Sequence, residues 1–490
     1  MSQPLIFELS SPGRTAFSLP ELDVPEFELP EQFLRKEPPN LPEVSELQLV
    51  RHYTNLSQKN YAIDTVFYPL GSCTMKYNPK VHETIATMGQ FINIHPFQSA
   101  DSVQGNLQLM YELQIYLAEI AGFNAISLQP AAGAQGEFAG VLVIRAYHDD
   151  NGDTKRTKML IPDSAHGTNP ATSVMAGYDV VELPSDARGN VDLESLKKAC
   201  DETTAGLMIT NPNTLGLFEE HIDAVIKTVH DCGGLVYGDG ANLNALMGIV
   251  RPGDLGFDVL HFNLHKTFST PHGGGGPGSG PIGVGERLAP FLPGPIVTKD
   301  GENYNFTMPE KSIGAIKDFW GNFGMFLRTY AYIRMLGADG LRKTSENAVL
   351  NANYLMKKLM EIKGLTLPFN SGKPRKHECV FSAKPLKNET GVSALNIAKR
   401  LLDYGLHAPT IYFPLIVEEA LMIEPTETFE KEEIDRFVEA MRKICEEAYA
   451  NPEKTLKAPH NTTIPKLDEV KASHPRTMSL SWRMYLKKKV

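Results

Sequence analysis

Residues 258–267 read Asp-Val-Leu-His-Phe-Asn-Leu-His-Lys-Thr, and a loop rich in proline and glycine begins at Pro271. An apolar run therefore ends a few residues before a single lysine, Lys266. A second apolar run, residues 235–238, leads directly into Asp239. Short apolar runs without alternation are typical of strands that are buried on both faces of a parallel sheet. The sequence thus predicts two buried strands, one ending at an aspartate and the other just before a lysine.

The same pattern extends upstream of these two strands. Further short apolar runs occur at residues 158–161 and 206–210, and a stretch with helical spacing of apolar residues (Ile222, Val225, Ile226, Val229) precedes residue 235. Strands that alternate with helices indicate a largely parallel sheet covered on both faces. We therefore predict an α/β fold, with a large, mostly parallel sheet domain and a smaller C-terminal α+β domain.

Changes in pattern give the predicted domain boundaries. Residues 1–60 are rich in proline and acidic residues with interleaved apolar side chains, which favours an extended N-terminal arm over a sheet or a long helix. Residues 61–325 carry the alternating pattern of the large domain. Residues 326–490 begin with long helical segments and continue into a mixed region, with probable strands near residues 377–381 and 420–423 and one clear helical stripe from Ile434 to Cys445.

Polar residues follow four of the predicted strands. Asp239 and Lys266 are joined by Asn211 and Asn213 after residue 210, and by His166 after residue 161. In open α/β sheets, ligands bind beyond the carboxyl ends of the strands, so these side chains are expected to meet in one crevice. A lysine that can form a Schiff base, with an aspartate that can keep a pyridine nitrogen protonated, is what a pyridoxal phosphate (PLP) enzyme requires.

Each of these residues also has an ordinary structural interpretation. A lone lysine is usually a surface residue, and an aspartate or asparagine after a strand is often a turn former or helix cap. A lone histidine is often a core residue. The coincidence of all of them with consecutive strand ends favours the cofactor site.

Two glycine-rich segments need separate interpretations. Residues 131–137, a turn of small residues before a predicted helix at 138–147, would expose backbone N–H groups that suit a phosphate. The loop from Gly273 to Gly280 lacks the order of a phosphate-binding loop, because its lysine precedes the glycines, and its prolines favour a rigid wall near the cofactor or substrate. The segment from Tyr68 to Asn78 is predicted to be a loop over the same site, in which Cys73 has no identifiable histidine partner.

Composition limits the other classes of function. The 490 residues carry a net charge of −10, which argues against nucleic acid as the main partner. Five widely separated cysteines indicate a reducing cytoplasm, and no apolar stretch approaches the ~20 residues that span a bilayer. His261 and His265 have the spacing of a helical metal pair but lie on a strand and turn, so we expect no metal site.

The residues around Lys266 also carry a resemblance to a known family. Residues 264–268 and the loop that follows, together with the segments 68–78, 210–216, 238–242 and 422–427, resemble the glycine decarboxylase P protein of the glycine cleavage system. The motifs span most of the chain, and the long motif at Lys266 is highly specific. This resemblance implies the aspartate-aminotransferase-like fold, type I among PLP enzymes.

The resemblance also implies roles for individual residues. Lys266 would carry PLP, and Asp239 would pair with the pyridine nitrogen. His166 would stack on one face of the ring and Ala241 would pack on the other. Gly133, Ala134 and Gln135 would hold the phosphate, with Thr267 as a weaker candidate, and Asn211 or Asn213 would contact the 3-oxygen.

The implied reaction is glycine decarboxylation, with transfer of the aminomethyl group to the lipoyl disulfide of the H protein. The length of the chain is similar to that of the lysine-bearing half of the family, which pairs with a related α subunit as an α2β2 heterotetramer. Two alternatives stay open: another PLP-dependent amino-acid decarboxylase or lyase, and a non-catalytic partner subunit that kept the fold. The presence of both Asp239 and Lys266 argues against the second.

Overall fold

The computed structural model of the chain describes residues 3–272, 278–370, 372–478, 484, 486 and 487. Two compact units are present: Met1–Thr65 together with Pro459–Val490, and Val66–Ala458. No helix among the described residues is both long enough and apolar enough to cross a bilayer.

The first unit contains little regular structure. Its helices are α1 (Glu46–Ser57) and, near the other terminus, α15 (Glu469–Ser473). Helix α1 begins at Ser45, whose hydroxyl accepts a hydrogen bond from the Gln48 backbone N–H in a capping box. Described residues before Ser45 form only short 3-10 turns, such as Glu31–Phe33, which agrees with the proline content of this segment.

A seven-stranded sheet forms the centre of the second unit, in the order β1-β7-β6-β5-β4-β2-β3. The strands are β1 (Ala125–Ser127), β2 (Lys158–Pro162), β3 (Asp179–Leu183), β4 (Thr204–Thr210), β5 (Leu235–Gly240), β6 (Val259–Phe262) and β7 (Ile282–Val284). From β3 to β6 the neighbours are parallel, whereas β7 is antiparallel to both β6 and β1. The predicted mostly parallel sheet is therefore confirmed.

Helices cover both faces of this sheet. They are α2 (Lys80–Ala86), α3 (Gly89–Ile92), α4 (Gln104–Ala121), α5 (Gly133–Asp150), α6 (Thr168–Met175), α7 (Leu193–Ala199), α8 (Ile222–Asp231) and α9 (Leu264–Thr267). Alternate residues of the strands enter different apolar clusters: Val236 packs with Val225 of α8, whereas Tyr237 packs with Ile144 of α5. This alternation explains why the strands read as unbroken apolar runs, since both of their faces are buried.

A three-stranded antiparallel sheet follows in the C-terminal part of the second unit, in the order β10-β12-β11. The remaining elements are the hairpin β8 (Ile296–Asp300) and β9 (Asn303–Thr307), the strands β10 (Cys379–Ser382), β11 (Thr410–Ile411) and β12 (Ala420–Ile423), and the helices α10 (Phe323–Leu359), α11 (Lys384–Thr390), α12 (Ala394–Asp403), α13 (Lys431–Ala450) and α14 (Pro452–Leu456). The predicted stripe on α13 is confirmed, because Ile434 and Cys445 are buried. Gly337 interrupts α10 with a φ of 63°, a left-handed conformation that suits glycine.

Candidate active site

A cavity of about 320 Å³ opens at the carboxyl ends of β2, β4, β5 and β6. Six of the ten predicted site residues line it: Gly133, Ala134, His166, Asp239, Ala241 and Lys266. The parallel register brings these strand ends together, because Thr210 pairs with Asp239 and Asp239 with His261. The cavity thus lies where an open α/β sheet places its ligand.

Lys266 occupies the single turn of α9, directly after β6. Its backbone N–H donates to the Asn263 carbonyl, which fixes the turn. Within the described ranges, the Lys266 ammonium has no hydrogen-bond or ion-pair partner, although its charge lowers the pKa of His272 after the larger effect of burial. A partly buried amine that is free of structural contacts is available for covalent chemistry.

Asp239 is buried and accepts hydrogen bonds at both carboxylate oxygens. The Asn169 amide donates to Oδ2 at 3.1 Å and the Ala241 N–H donates to Oδ1 at 3.0 Å, while His261 Nε2 lies 3.5 Å from Oδ1. Burial opposes ionisation, but His261 and these donors together hold the pKa of Asp239 below its ordinary value. The carboxylate is therefore negatively charged at neutral pH and stands ready to pair with a cationic N–H group.

His166 follows β2 and is exposed to the cavity. The Thr168 backbone N–H points at Nδ1 from 3.2 Å, and the edge of the ring packs against Phe413 with 5.4 Å between centroids. Burial by the surrounding protein, and to a smaller extent the charge of Lys266, lower the pKa of His166 below its ordinary value. The imidazole is thus neutral at neutral pH, which leaves its ring free to pack flat against a ligand.

Helix α5 places backbone N–H groups on the cavity wall. The helix begins at Gly133, five residues before the predicted start at 138, and its N-cap Ala132 has no side-chain cap. The N–H groups of this first turn are at the positive end of the helix dipole. A Cβ atom on Gly133 would lie 2.1 Å from Asn263 Oδ1, so any larger residue here would displace the Asn263 side chain.

The other four predicted residues are not among the described residues that line the cavity: Gln135, Asn211, Asn213 and Thr267. The Gln135 amide accepts from Ala131 N–H and donates to the Ile316 carbonyl. Asn211 Oδ1 accepts from Glu219 N–H, and Asn213 Oδ1 accepts from the N–H groups of Leu215 and Leu217.

Thr267 is likewise engaged, since its hydroxyl accepts from Leu243 N–H. These four residues do not line the cavity within the described ranges, and their assigned contacts with the cofactor stay predictions. Thr210, at the end of β4, and Pro212 and Thr214 in the bend and turn that follow line the wall instead of the two asparagines.

Three acidic residues at or next to the cavity were missed by the sequence analysis: Glu137, Glu378 and Glu424. Glu378 lines it and accepts from Ser72 N–H at 2.9 Å, and Glu424 accepts from Thr74 N–H at 3.0 Å and from the Asn242 amide at 2.8 Å. Burial raises the pKa of Glu424 to about 7. Burial and the nearby charge of Glu424 raise the pKa of Glu378 well above its ordinary value, so Glu378 carries the proton of this pair.

His377 adjoins the acidic pair, and potential ligand atoms of His377, Glu378 and Glu424 all lie within 4.8 Å of one another. The carboxylates are already hydrogen bonded to backbone and amide donors, and one of them is neutral, which favours a hydrogen-bonded acid pair over a metal centre. The expectation of no metal site stays a prediction. A signal for Glu424 was present in the sequence, since an acid directly follows the apolar run 420–423.

The segment from Tyr68 to Asn78 contributes Ser72 to the cavity wall. Lys76 fixes this segment, because its buried ammonium forms an ion pair with Glu427 at 2.9 Å and donates to the Thr267 carbonyl. Burial raises the pKa of Cys73, so its thiol is not activated as a nucleophile. Of the predicted glycine-loop wall from Gly273 to Gly280, residues 273–277 lie outside the described residues.

Comparisons with known proteins give one consistent family. The model of the family described as glycine cleavage system P-protein matches residues 19–308, and that described as glycine dehydrogenase, C-terminal domain, matches residues 344–464. A protein of Pyrococcus abyssi named probable glycine dehydrogenase (decarboxylating) subunit 2 is 58% identical over 487 residues, covering 99% of this chain and 96% of the relative. A protein of the same name from Thermotoga maritima is 57% identical over 468 residues, covering 96% of this chain and 98% of the relative.

A solved structure supports the fold. The crystal structure of glycine decarboxylase (P-protein) of the glycine cleavage system, in an inhibitor-bound form, superimposes with a TM-score of 0.72 at 23% sequence identity. The superposition covers 85% of this chain and 93% of the solved one.

Proposed function

The chain belongs to the glycine cleavage system P-protein family, and on that premise we propose that it is a glycine dehydrogenase (decarboxylating) that uses PLP. Its fold is the aspartate-aminotransferase-like fold, type I among PLP enzymes. The observation that carries the proposal is the position of Lys266, an amine without a structural partner among the described residues. It lies in the turn that follows β6, the strand next to the one that carries the buried, ionised Asp239.

The residues of the cavity fit PLP in three respects. The first turn of α5 offers backbone N–H groups to a phosphate, beside Gly133, where a side chain would collide with Asn263. Asn263 Oδ1 is itself buried without a hydrogen-bond partner in the described protein, which leaves polar capacity for a ligand at this point. Asp239 supplies the negative charge that a protonated pyridine nitrogen requires.

Lys266 would anchor the cofactor covalently, Asp239 would hold the ring nitrogen, and His166 and Ala241 would contact its faces. When bound, PLP supplies an electron-accepting ring that stabilises the charge left on glycine as CO2 departs. The protein's share is electrostatic and geometric: Asn169, Ala241 and His261 fix the Asp239 carboxylate, and α5 fixes the phosphate. Gln135, Asn211, Asn213 and Thr267 would act indirectly, by holding the turns that form the wall.

The chain requires partners for the complete reaction. The relatives are named subunit 2, and a related α subunit, in an α2β2 heterotetramer, is the partner that this naming and the family favour. The aminomethyl group passes to the lipoyl disulfide of the H protein. We also propose a cytoplasmic location, which the few, widely separated cysteines support. The domain boundaries that we propose are at residues 60 and 325.

Borohydride reduction followed by peptide mass spectrometry tests the cofactor assignment. The reduced cofactor should be attached to the peptide that carries Lys266, and Lys266→Ala should lose both the label and glycine decarboxylation. Lys76→Arg is the control, because Lys76 is also a buried lysine near the site but is already ion-paired with Glu427. A label on another lysine, or a visible cofactor band that is unchanged in Lys266→Ala, would contradict the assignment.

Substrate class is tested separately. Glycine should be decarboxylated only with a lipoylated carrier and the α subunit present, and other amino acids should react poorly. Equal turnover of a bulkier amino acid would favour the alternative PLP decarboxylase or lyase.

A further inference from the structure

Three residues of the cavity wall form a continuous hydrogen-bonded path. Glu137 of α5 is buried, with only 2% of its surface exposed. The Thr168 hydroxyl lies 2.9 Å from Glu137 Oε2 and also 2.9 Å from Nδ1 of His166. All three residues line the cavity, and His166 is the exposed one, so the path links a buried carboxyl group to the open part of the cavity.

The directions of these hydrogen bonds place the proton. The Thr168 backbone N–H points at Nδ1 of His166, so Nδ1 is an acceptor and the imidazole proton is on Nε2. The Thr168 hydroxyl has one proton and two acceptors within reach. It donates to Oε2 when Glu137 is ionised, and when Glu137 is protonated the carboxyl group donates to the hydroxyl, which then donates to Nδ1.

The surroundings of Glu137 support this proton. Its other oxygen, Oε1, accepts from the Asn169 amide at 2.9 Å, and the same amide also donates to Asp239. Burial, and then the negative charge of Asp239, raise the pKa of Glu137 to about 7, against the opposing hydrogen bonds from Asn169, Thr168 and Thr172.

The remaining titratable groups near the path do not supply a competing proton store. Tyr237 and His261 are hydrogen bonded to each other at 2.6 Å, His261 also lies 3.5 Å from Asp239, and Lys266 lines the cavity. Burial keeps the pKa of Tyr237 well above its ordinary value and that of His261 below its ordinary value, so neither changes its charge near pH 7.

We propose that Glu137, Thr168 and His166 form a proton relay, in which Glu137 stores the proton that His166 delivers into the cavity. His166 Nε2–H gives its proton to a base in the cavity, and Nδ1 takes the proton of the Thr168 hydroxyl. The hydroxyl oxygen takes the proton of Glu137, which becomes a carboxylate. The net change is one proton moved from Glu137 to the cavity, with the imidazole proton now on Nδ1. A proton from water in the cavity then binds to Nε2, and the Nδ1 proton passes back through the Thr168 hydroxyl to Glu137. The Thr168 N–H, which favours a bare Nδ1, favours this return to the starting form.

The identity of the receiving base rests on the proposed function. As CO2 leaves, the electron pair of the broken carbon–carbon bond forms a carbon–sulfur bond to one lipoyl sulfur. The sulfur–sulfur bond breaks, and the second sulfur takes that electron pair together with the proton from His166. The disulfide is thereby reduced, with no other electron donor required.

Nitrogen-15 NMR of the His166 ring in the full-length protein with its cofactor tests the relay without any turnover. As Glu137 ionises, the Thr168 hydroxyl turns to the carboxylate, so the Nδ1 shift should change with a midpoint near pH 7. Glu137→Gln and Thr168→Val should abolish this change, and Thr168→Ser should keep it. Thr172→Val, which removes one hydrogen bond to Glu137 but not the path, should move the midpoint upward.

Kinetics provide the second measurement. Glu137→Gln should lower kcat for lipoyl reduction by about 100-fold, the usual scale of general acid catalysis, with little change in KM for glycine. A midpoint near pH 7 that persists in Glu137→Gln or Thr168→Val, or is absent in the unmodified protein, would overturn the relay. Normal NMR behaviour with no activity on glycine would instead contradict the proposed function and leave the relay standing.

Discussion

At the scale of single residues, Asp239 is the clearest case of an environment that sets a charge. Its donors come from α6, from the residue after β5 and from β6, and they hold the carboxylate ionised despite its burial. Asp239→Asn keeps the shape but removes the charge that stabilises a protonated ring nitrogen. We expect turnover to fall by about 100-fold, the scale for losing one preorganised electrostatic contact, as measured by steady-state decarboxylation.

Asp258 provides a matched control for Asp239. It is also a buried aspartate next to β5, where it accepts from the Val236 N–H, His230 and Arg287, but it is not on the cavity wall. Asp258→Ala should lower the free energy of unfolding by about 1–3 kcal/mol, because the Val236 N–H loses its acceptor, and should leave kcat unchanged. Unchanged turnover in Asp239→Asn would refute the proposed pairing.

Glu378 predicts a pH dependence of stability. Its folded-state pKa is raised by burial and by Glu424, so its contribution is fully present below the unfolded pKa of ~4.3 and is lost as the pH rises toward the folded value. Glu378→Gln stays neutral at every pH. The variant should therefore gain stability relative to the unmodified protein between pH 5 and pH 8, as measured by urea denaturation.

Glu83 should show the opposite sign. Its hydrogen bonds to Arg328 hold its pKa below the ordinary value, so it stabilises the fold above the unfolded pKa and that contribution is lost at low pH. Glu83→Gln should thus lose stability at pH 8 and converge with the unmodified protein at acid pH. Parallel pH profiles for the two variants would show that the assigned direction for Glu378 is wrong.

The sequence predicted the site at the level of strand ends but not at the level of side-chain direction. Lys266, Asp239 and His166 follow apolar runs, and that pattern alone placed them together. Asn211 and Asn213 follow the same kind of signal, yet their side-chain oxygens accept from backbone N–H groups of Glu219, Leu215 and Leu217. Glu137 was missed because a glutamate in the first turns of a helix is ordinary in sequence, and its burial depends on the tertiary structure.

At the scale of elements, the start of α5 is constrained by close backbone contact. A Cβ atom on Gly136 would lie 2.2 Å from the Gly280 carbonyl oxygen, and backbone cannot move aside cheaply. Gly136→Ala should lower the free energy of unfolding by about 1–3 kcal/mol, and it should also weaken PLP binding by displacing the phosphate-binding turn. Urea denaturation and cofactor titration measure the two effects.

Gly105 of α4 is the control for this prediction, since a Cβ atom there would meet nothing within 4 Å. Gly105→Ala should raise the free energy of unfolding by about 0.5–1 kcal/mol, because alanine loses less conformational entropy in a helix. Equal effects of the two substitutions would argue against the close-contact explanation.

The central strands were predictable and the marginal ones were not. The runs at β2, β4, β5 and β6 are buried and continuous, whereas the edge strand β3 contains the exposed Asp179 and Glu182. Strand β7 has three residues with a glycine at its centre, so it reads as part of the preceding loop. Such short segments form strands because neighbouring strands of the sheet offer them hydrogen-bond partners, and the local sequence does not show this.

At the scale of the whole molecule, the second unit carries two apolar depressions, of about 410 and 500 Å³, that share Arg334. Met335 and Ile249 in them are about half exposed. Adjoining apolar surface of this kind is typical of protein interfaces, and the proposed α subunit is the partner that we expect there.

Met335→Asp should therefore weaken association with the α subunit, because the new carboxylate would lose its water in the interface. We expect the Kd to rise by at least about tenfold, as measured by calorimetry. Leu350→Asp is the control, since Leu350 is also exposed on α10 but lines neither depression. An unchanged Kd in Met335→Asp would show that the α subunit does not bind at these depressions.

The division of the chain into compact units could be predicted from the sequence only in part. The change of pattern near residue 325 marks where α10 begins, at Phe323. The grouping of Pro459–Val490 with Met1–Thr65 has no local signal, because it depends on contacts between segments at opposite ends of the chain.

The register of β5 and β6 has a consequence for how this chain can vary. Asp239 pairs with His261 across these strands, and α9 begins at Leu264, so sheet hydrogen bonds set the spacing between Asp239 and Lys266. The connection between the strands passes through the turn Pro252–Leu255, outside the sheet. Insertions in that turn leave the spacing intact, whereas one inserted residue between His261 and Lys266 would rotate the lysine away. In related sequences, insertions and deletions should therefore occur in the turn Pro252–Leu255 and be absent between His261 and Lys266.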